Sequence, residues 1–130
     1  MIVMVCAMNA QTFDIYKEFS VKEGTTKQFL LAALSSAEDD GEYVYIPHWK
    51  SLGIRSIITS FKFTNGMIAE VNSNYYLRQS SAMLKRIDKQ YSKCLTTTGD
   101  VKVYQFDNGE LKIEKYDNKI SASFTIKSQH

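Results

Sequence analysis

Residues 101–127 read VKVYQFDNGELKIEKYDNKISASFTIK, three runs of alternating apolar and polar side chains separated by two polar breaks. Asn108-Gly109 offers the positive-φ pair that a two-residue hairpin turn favours. The first break therefore predicts Asp107 facing Glu110, Phe106 facing Leu111 and Tyr104 facing Ile113. A three-residue loop would set Gln105 against Leu111 and lose the apolar match. The second break, Asp117-Asn118 between Tyr116 and Lys119, sets Ala122 against Ile113 and Phe124 against Leu111. Both turns select the same face. The reverse face carries Gln105, Glu110, Lys112, Glu114, Ser121, Ser123, Thr125 and Lys127, the pattern of an antiparallel sheet with one side in water.

Working back from this sheet, residues 54–63 and 67–73 predict another hairpin. A two-residue Asn65-Gly66 loop would bring Glu70 against Phe61. A three-residue loop, Thr64-Asn65-Gly66, pairs Phe63 with Met67, Phe61 with Ala69 and Thr59 with Val71, and is preferred. Ser80 or Ser81 opens a helix whose Met83, Leu84, Ile87, Tyr91 and Cys94 line one side as far as Leu95, before residues 96–100 break it. Thr25 and Gln28 form a capping box ahead of Phe29, Leu30, Ala33, Leu34 and Ala37, which predicts a helix over residues 26–38 ended by Asp39-Asp40-Gly41-Glu42. Tyr43 to Ile46 reads as a short strand halted by Pro47, and His48 to Gly53 as a loop or a single helical turn. Residues 12–20 fit either a short helix capped by Thr12 or a strand. Segregated hairpins and helices predict an α+β domain, an antiparallel sheet of about five strands with two or three helices packed on one face.

A chain of 130 residues with 44% hydrophobic residues accommodates one core, hence one domain over residues 12–130. The net charge of +2 gives no global field toward nucleic acid, and no nucleic-acid partner is expected. No transmembrane span is expected at this length of apolar run. MIVMVCAMNA, Met1 to Ala10, is uncharged, apolar and ends in small residues before Gln11. One reading makes residues 1–11 the remnant of a secretory signal, its positively charged start missing; the other makes the run a buried strand. On the first, Cys6 is removed and Cys94 stands alone; on the second, a Cys6–Cys94 bridge is conceivable, though no spacing asks for it. Cys94 itself fits a small buried hydrophobe.

Tyr43, Tyr45, His48, Trp49 and Lys50 crowd aromatic and cationic groups around Pro47, which suits ligand or protein contact because rigid rings bury area at low entropic cost. The plainer reading has Trp49 plugging the core and His48 in water. As a general base, His48 lacks an identifiable orienting carboxylate, and the only other histidine is His130. Arg78, Lys85, Arg86, Lys89 and Lys93 make the outer side of the second helix basic, attractive to phosphate or an acidic partner, or simply solvated. Asp39, Asp40 and Glu42 lack the alternating oxygen ligands of a calcium loop and read as a solvated helix end. Two cysteines and two histidines at these spacings make no zinc set, and no phosphate or dinucleotide fingerprint occurs. No cofactor or metal is expected.

The signal-like MIVMVCAMNAQ, Phe13 and Tyr16 followed by Glu18-Phe19-Ser20, Leu52-Gly53-Ile54 before a strand, a basic helix ending near Tyr91 and the closing hairpins together resemble a family of small exported bacterial domains of unknown function. The resemblance implies export and a compact α+β module, and assigns no functional residue. The leading expectation is an exported, periplasmic or extracellular, non-enzymatic domain that binds a protein or a cell-envelope component. The alternatives are a small hydrolase or ligand-binding enzyme using His48 with nearby carboxylates, and a secreted enzyme inhibitor presenting its polar sheet or aromatic loop. Phe124→Asp is expected to abolish cooperative thermal unfolding, since burying a Phe is worth roughly 1.5–3 kcal/mol and burying a carboxylate costs more; an unchanged melting curve would show that Phe124 does not face the core.

Overall fold

The described part of the chain is mostly sheet, 45% strand and 24% helix. A computed structural model describes residues 11–127. Their helices are α1 (Ile15–Glu18), α2 (Lys27–Ala33) and α3 (Ser81–Tyr91), the last flanked by 3-10 turns at Leu77–Gln79 and Ser92–Cys94. The strands are β1 (Glu38–Asp39), β2 (Tyr43–Pro47), β3 (Lys50–Ser51), β4 (Ile54–Arg55), β5 (Ile58–Thr64), β6 (Met67–Tyr76), β7 (Leu95–Thr97), β8 (Val101–Phe106), β9 (Gly109–Tyr116) and β10 (Lys119–Ile126). Eight of them form one antiparallel sheet in the order β1-β2-β5-β6-β10-β9-β8-β7, and β3 and β4 pair separately. Two meanders, β1-β2-β5-β6 and β7-β8-β9-β10, are sewn together by the β6–β10 pairing, and α3 carries the chain from the middle of the sheet to its far edge.

The expectation of an α+β domain with five strands is thereby overturned, and the extra strands come from segments read as helix or loop. The helix expected over residues 26–38 starts at the N-cap Thr26, whose hydroxyl accepts from Phe29 N, but ends at Ala33. Ser35 and Ser36 follow, residues that compete for backbone hydrogen bonds and favour turns over helix interiors. Asp39 and Asp40 do not end a helix. Asp39 Oδ1 accepts from Gly41 N at 2.8 Å, and Asp40 Oδ1 accepts from Glu42 N and Tyr43 N at 2.9 and 2.7 Å, so the acidic segment closes the β1–β2 hairpin. Leu52 (φ 55°) and Gly53 (φ 89°) turn residues 50–55 into the β3–β4 hairpin. Residues 12–20, open between helix and strand, hold the single turn of α1, capped by Asp14 rather than Thr12.

The three C-terminal strands share the predicted apolar face. Tyr104, Phe106, Leu111, Ile113, Ala122 and Phe124 are all buried. The β9–β10 register is the predicted one. At the first turn Phe106 pairs with Gly109 and Tyr104 with Leu111, so the loop is Asp107-Asn108, one residue earlier on each side than the Asn-Gly signal implies. The displacement totals two residues, an even number, and therefore leaves every side chain on its predicted face. Gly109 is not in the left-handed region; it is required because a Cβ there would strike the Thr125 carbonyl and come within 2.6 Å of the Phe124 ring.

The β5–β6 hairpin departs differently. It uses the two-residue loop Asn65-Gly66, both residues at positive φ (54° and 78°), and then breaks register between Lys62 and Phe63. The bulge leaves Ala69 unpaired and brings Phe61 opposite Val71 and Lys62 opposite Glu70, which resolves the clash that argued against the short loop. In consequence Ile68 is buried and Met67 is 67% exposed. A row Val44–Phe61–Val71–Phe124–Leu111–Tyr104 now crosses six strands on the inner face. Met83, Ile87 and Tyr91 of α3 and Cys94 beyond it are buried, with Tyr91 edge-on to Phe106 at 5.1 Å.

Residues 11–13 are pinned by the Asp107-Asn108 turn. Asp107 N donates to Gln11 O, Thr12 Oγ1 to the Asp107 carboxylate, Phe13 N to Asn108 Oδ1 and Asn108 Nδ2 to Phe13 O. Phe13 is thereby stacked on Phe124 at 4.4 Å and 16°, beside Phe106, Tyr91 and Phe19. The signal-remnant reading of residues 1–11 and the fate of Cys6 fall on Met1 to Ala10, outside the described residues; Cys94 is buried with Sγ 4.0 Å from Gln11 Oε1. Gly109→Ala is expected to destabilise by about 1–3 kcal/mol through overpacking alone. Urea unfolding with an unchanged slope and a lower midpoint would report it, and a midpoint equal to that of the natural chain would refute the close approach of Phe124.

Candidate binding face

The register places every second residue of β2, β5, β6, β10, β9 and β8 on the face away from α3. Across its middle run Tyr45–Ser60–Asn72–Ser123–Lys112 and, one step along, Asn74–Ser121–Glu114. Most of these side chains are short and polar, carried on strands paired on both sides, so the backbone beneath them is fixed. Tyrosines stand at the two ends, Tyr43 and Tyr45 at one, Tyr76 and Tyr116 at the other.

The ends differ in how their polar groups are satisfied. At the first, Tyr43 donates to Glu70 Oε2 at 3.2 Å and Tyr45 to Asp40 Oδ2 at 2.9 Å, Asn72 Nδ2 donates to the same Glu70 oxygen at 2.9 Å, and Lys62 pairs with Glu42 at 3.6 Å. Burial, then the Glu70 charge, raises the Tyr43 phenol; the hydrogen bond to Asp40 raises Tyr45. The Asp39 and Asp40 carboxyls are lowered, chiefly by the backbone N–H groups they accept. At the second end, Lys119 lies in register between Tyr76 and Tyr116, which are 38% and 47% exposed, and the Arg78 guanidinium sits 5.2 Å from the Tyr76 ring centre. Among the described residues no carboxylate lies within ion-pair distance of Arg78 or Lys119.

The aromatic group around Pro47 is divided by the strand. Tyr43 and Tyr45 point to the outer face. Trp49 turns inward, its indole N–H donating to Phe19 O at 2.6 Å and its ring edge-on to Phe61 at 6.4 Å. His48, at φ 61°, and Lys50 are exposed, and among the described residues the imidazole meets no carboxylate. The basic series divides too. Arg78 lies before α3 on the 3-10 turn, Arg86 binds Glu18, and Lys85, Lys89 and Lys93 remain an exposed stripe. Tyr76 has no signal in the local sequence, because its place beside Lys119 depends on the β6–β10 pairing of residues far apart in the chain.

Two polar clusters lie inside. Glu18, 4% exposed, accepts from Arg86 Nη2 at 2.6 Å, Arg86 Nη1 at 3.3 Å and Tyr91 Oη at 2.5 Å, while the Gly53 turn lies against the guanidinium. This ties α1 to α3. Thr59 Oγ1 lies 2.8–2.9 Å from the hydroxyls of Ser51, Ser56 and Ser73, and Tyr75 donates to Ser51 O, which anchors the β3–β4 hairpin on the inner face. Among the described residues no buried side-chain polar atom lacks a partner, and no three His, Cys, Asp or Glu side chains gather as a metal set. A shallow cavity of about 370 Å³ at the Gly109 end is lined by Gln105, Phe106, Glu110, Thr125 and Lys127, with Gln105 donating to Glu110 across it.

No helix among the described residues is long and apolar enough to cross a membrane. No protein-family model, curated protein or solved structure matches this chain.

Burial above all, then the Glu18 hydrogen bond, raises Tyr91; burial raises Tyr75, and burial with the Asp88 charge pushes Tyr104 up to about 12. A phenol raised in the folded state keeps its full stabilising share below the ordinary value of 10.0 and loses it as pH climbs toward the folded value, because the unfolded chain releases the proton first. Stability is therefore expected to fall above pH 10, and tyrosinate absorbance of the folded protein to lag that of the unfolded chain there. Superimposed titration curves for the two states would contradict the burial of these hydroxyls.

Proposed function

We propose that the protein is a non-enzymatic binding module that offers the outer face of its sheet to a protein partner, and that it works outside the cytoplasm. One observation carries the reading: Asn72, Asn74, Ser121 and Ser123, all partly exposed, lie in register between two pairs of tyrosines on strands paired on both sides. Tyrosine supplies rigid amphipathic contact area at low entropic cost, and short Ser and Asn side chains supply adaptable hydrogen bonds, the combination found in binding surfaces that recognise proteins. The apolar, uncharged Met1 to Ala10 run supports export. A hydrolase built on His48 has no carboxylate at its imidazole among the described residues to support it, and we do not adopt it.

The edges of the sheet support a partner that meets the face. β1 has two residues and β7 three, the latter with a break in register. Edges this short leave little free backbone for an added strand.

A photo-crosslinking residue at Ser123 in the full chain, expressed in its native host, is expected to trap one discrete protein, and the same residue at Lys89 on α3 is not. Ser123→Arg should weaken that association by about tenfold or more while leaving the melting temperature unchanged. Equal trapping from both positions, or none from Ser123, would overturn the reading.

A further inference from the structure

The two ends of the outer face use the same residue types and end in opposite states. Around Tyr43 and Tyr45 each phenol donates to a carboxylate and the lysine has its own glutamate, so the acids belong to the protein itself. Around Tyr76 and Tyr116 no carboxylate among the described residues hydrogen-bonds the phenols or pairs with the cations. Lys119 is exposed between two half-exposed rings, and Arg78 is exposed with its guanidinium over the Tyr76 ring, 5.2 Å from its centre. Of the nearby carboxylates, Glu114 is 3.9 Å from Lys112, and Asp117 lies in the turn with no ion pair to Lys119.

We infer that the Tyr76–Lys119–Tyr116 row with Arg78 is the specificity centre of the binding face, and that it recognises an acidic segment of a protein partner. The inference rests on the reading of the face as a protein-binding surface and names the chemistry that covers one end of it. Arg and Tyr are the residue types over-represented where binding energy concentrates, and the planar guanidinium presents paired donors that match a carboxylate. The contact with the Tyr76 ring restrains the guanidinium, so fewer rotamers are lost when an acid docks. Lys119 adds a second positive charge from the strand paired with Tyr76, on the same face, which suits a segment that carries more than one carboxylate. The stripe of Lys85 and Lys89 on α3 with Lys93 on the turn beyond it is the rival cationic surface, but no exposed aromatic side chain interleaves it.

The test titrates the full isotope-labelled chain with poly-L-glutamate, and in parallel with polygalacturonate, while amide shifts are followed by NMR. The expected result is saturable binding of poly-L-glutamate with shifts at residues 76, 78, 116 and 119, weakening several-fold as salt rises from about 50 to 200 mM. Arg78→Gln and Lys119→Gln, both at exposed positions, should each lower the affinity at least about threefold without changing the melting temperature, and the double variant about tenfold. Shifts confined to Lys85, Lys89 and Lys93, tighter binding of polygalacturonate than of poly-L-glutamate, or no saturable binding would each overturn the inference. Trapping of a partner from Ser123 together with no poly-L-glutamate binding would sink this inference alone and leave the binding-module reading standing.

Discussion

The ring of Phe124 lies across Gly109, and the rest of the structure depends on that contact. A side chain at residue 109 would collide with the ring and with the Thr125 carbonyl. With the ring laid over the strand, Phe13 stacks on it at 4.4 Å. Asn108 then holds the Phe13 backbone by donating to its carbonyl and accepting from its N–H, so the turn grips the N-terminal segment. Placed there, the segment runs through the Asp14 cap into α1 and delivers Glu18 to Arg86 and Tyr91 of α3. Tyr91 closes the circuit against Phe13 and Phe106. Aromatic pairs of this kind add about 0.5–1.5 kcal/mol each beyond the area they bury. The hydrogen bonds around them decide where the rings can be, and the rings exclude the water that would otherwise compete for Glu18.

How much of this the sequence shows depends on range. The faces of β8, β9 and β10 follow from alternation, and the Asp117-Asn118 turn from the pairing that alternation demands, because both are local. Asn108-Gly109 was legible as a pair of special residues and misleading as to their task. Glycine is there for the Phe124 ring and asparagine for the Phe13 backbone, two partners that no window around the turn contains. The β5–β6 hairpin misleads in a related way. The objection to the Asn65-Gly66 loop, Glu70 against Phe61, was sound for a regular ladder, and the chain answers it with a bulge at Ala69. The fold class was misread because short strands carry weak signals. Two residues at β1 and three at β7 have no alternation to detect, and Thr25-Thr26-Lys27-Gln28 announces a helix without saying how soon Ser35 and Ser36 end it.

The candidate face was half visible for the same reason. Ser121, Ser123, Lys112 and Glu114 belong to the predicted polar side, and Tyr116 and Lys119 flank a turn that was placed correctly. Their meaning changes when β6 is laid beside β10, since that brings Tyr76 and Arg78 from a distant part of the chain. Arg78 shows the limit most clearly. By spacing it joins Lys85, Arg86, Lys89 and Lys93 as one basic series, yet it precedes the helix and turns to the tyrosine, while Arg86 turns inward to Glu18. Charge in sequence counts residues; charge on a surface depends on which carboxylates have already been spent.

That distinction also separates the two ends of the outer face. At its first end the phenols are satisfied from within, by Glu70 and by a residue that also closes the β1–β2 hairpin, so Asp40 serves the turn and Tyr45 with the same carboxylate. Among the described residues no carboxylate lies within ion-pair distance of Lys119 or Arg78, and a guanidinium held beside an aromatic ring has less freedom to lose when a carboxylate arrives than one on a free side chain. The short edge strands, the polar outer surface and its cationic end thus belong to one sheet, and these are the features on which the binding-module proposal rests.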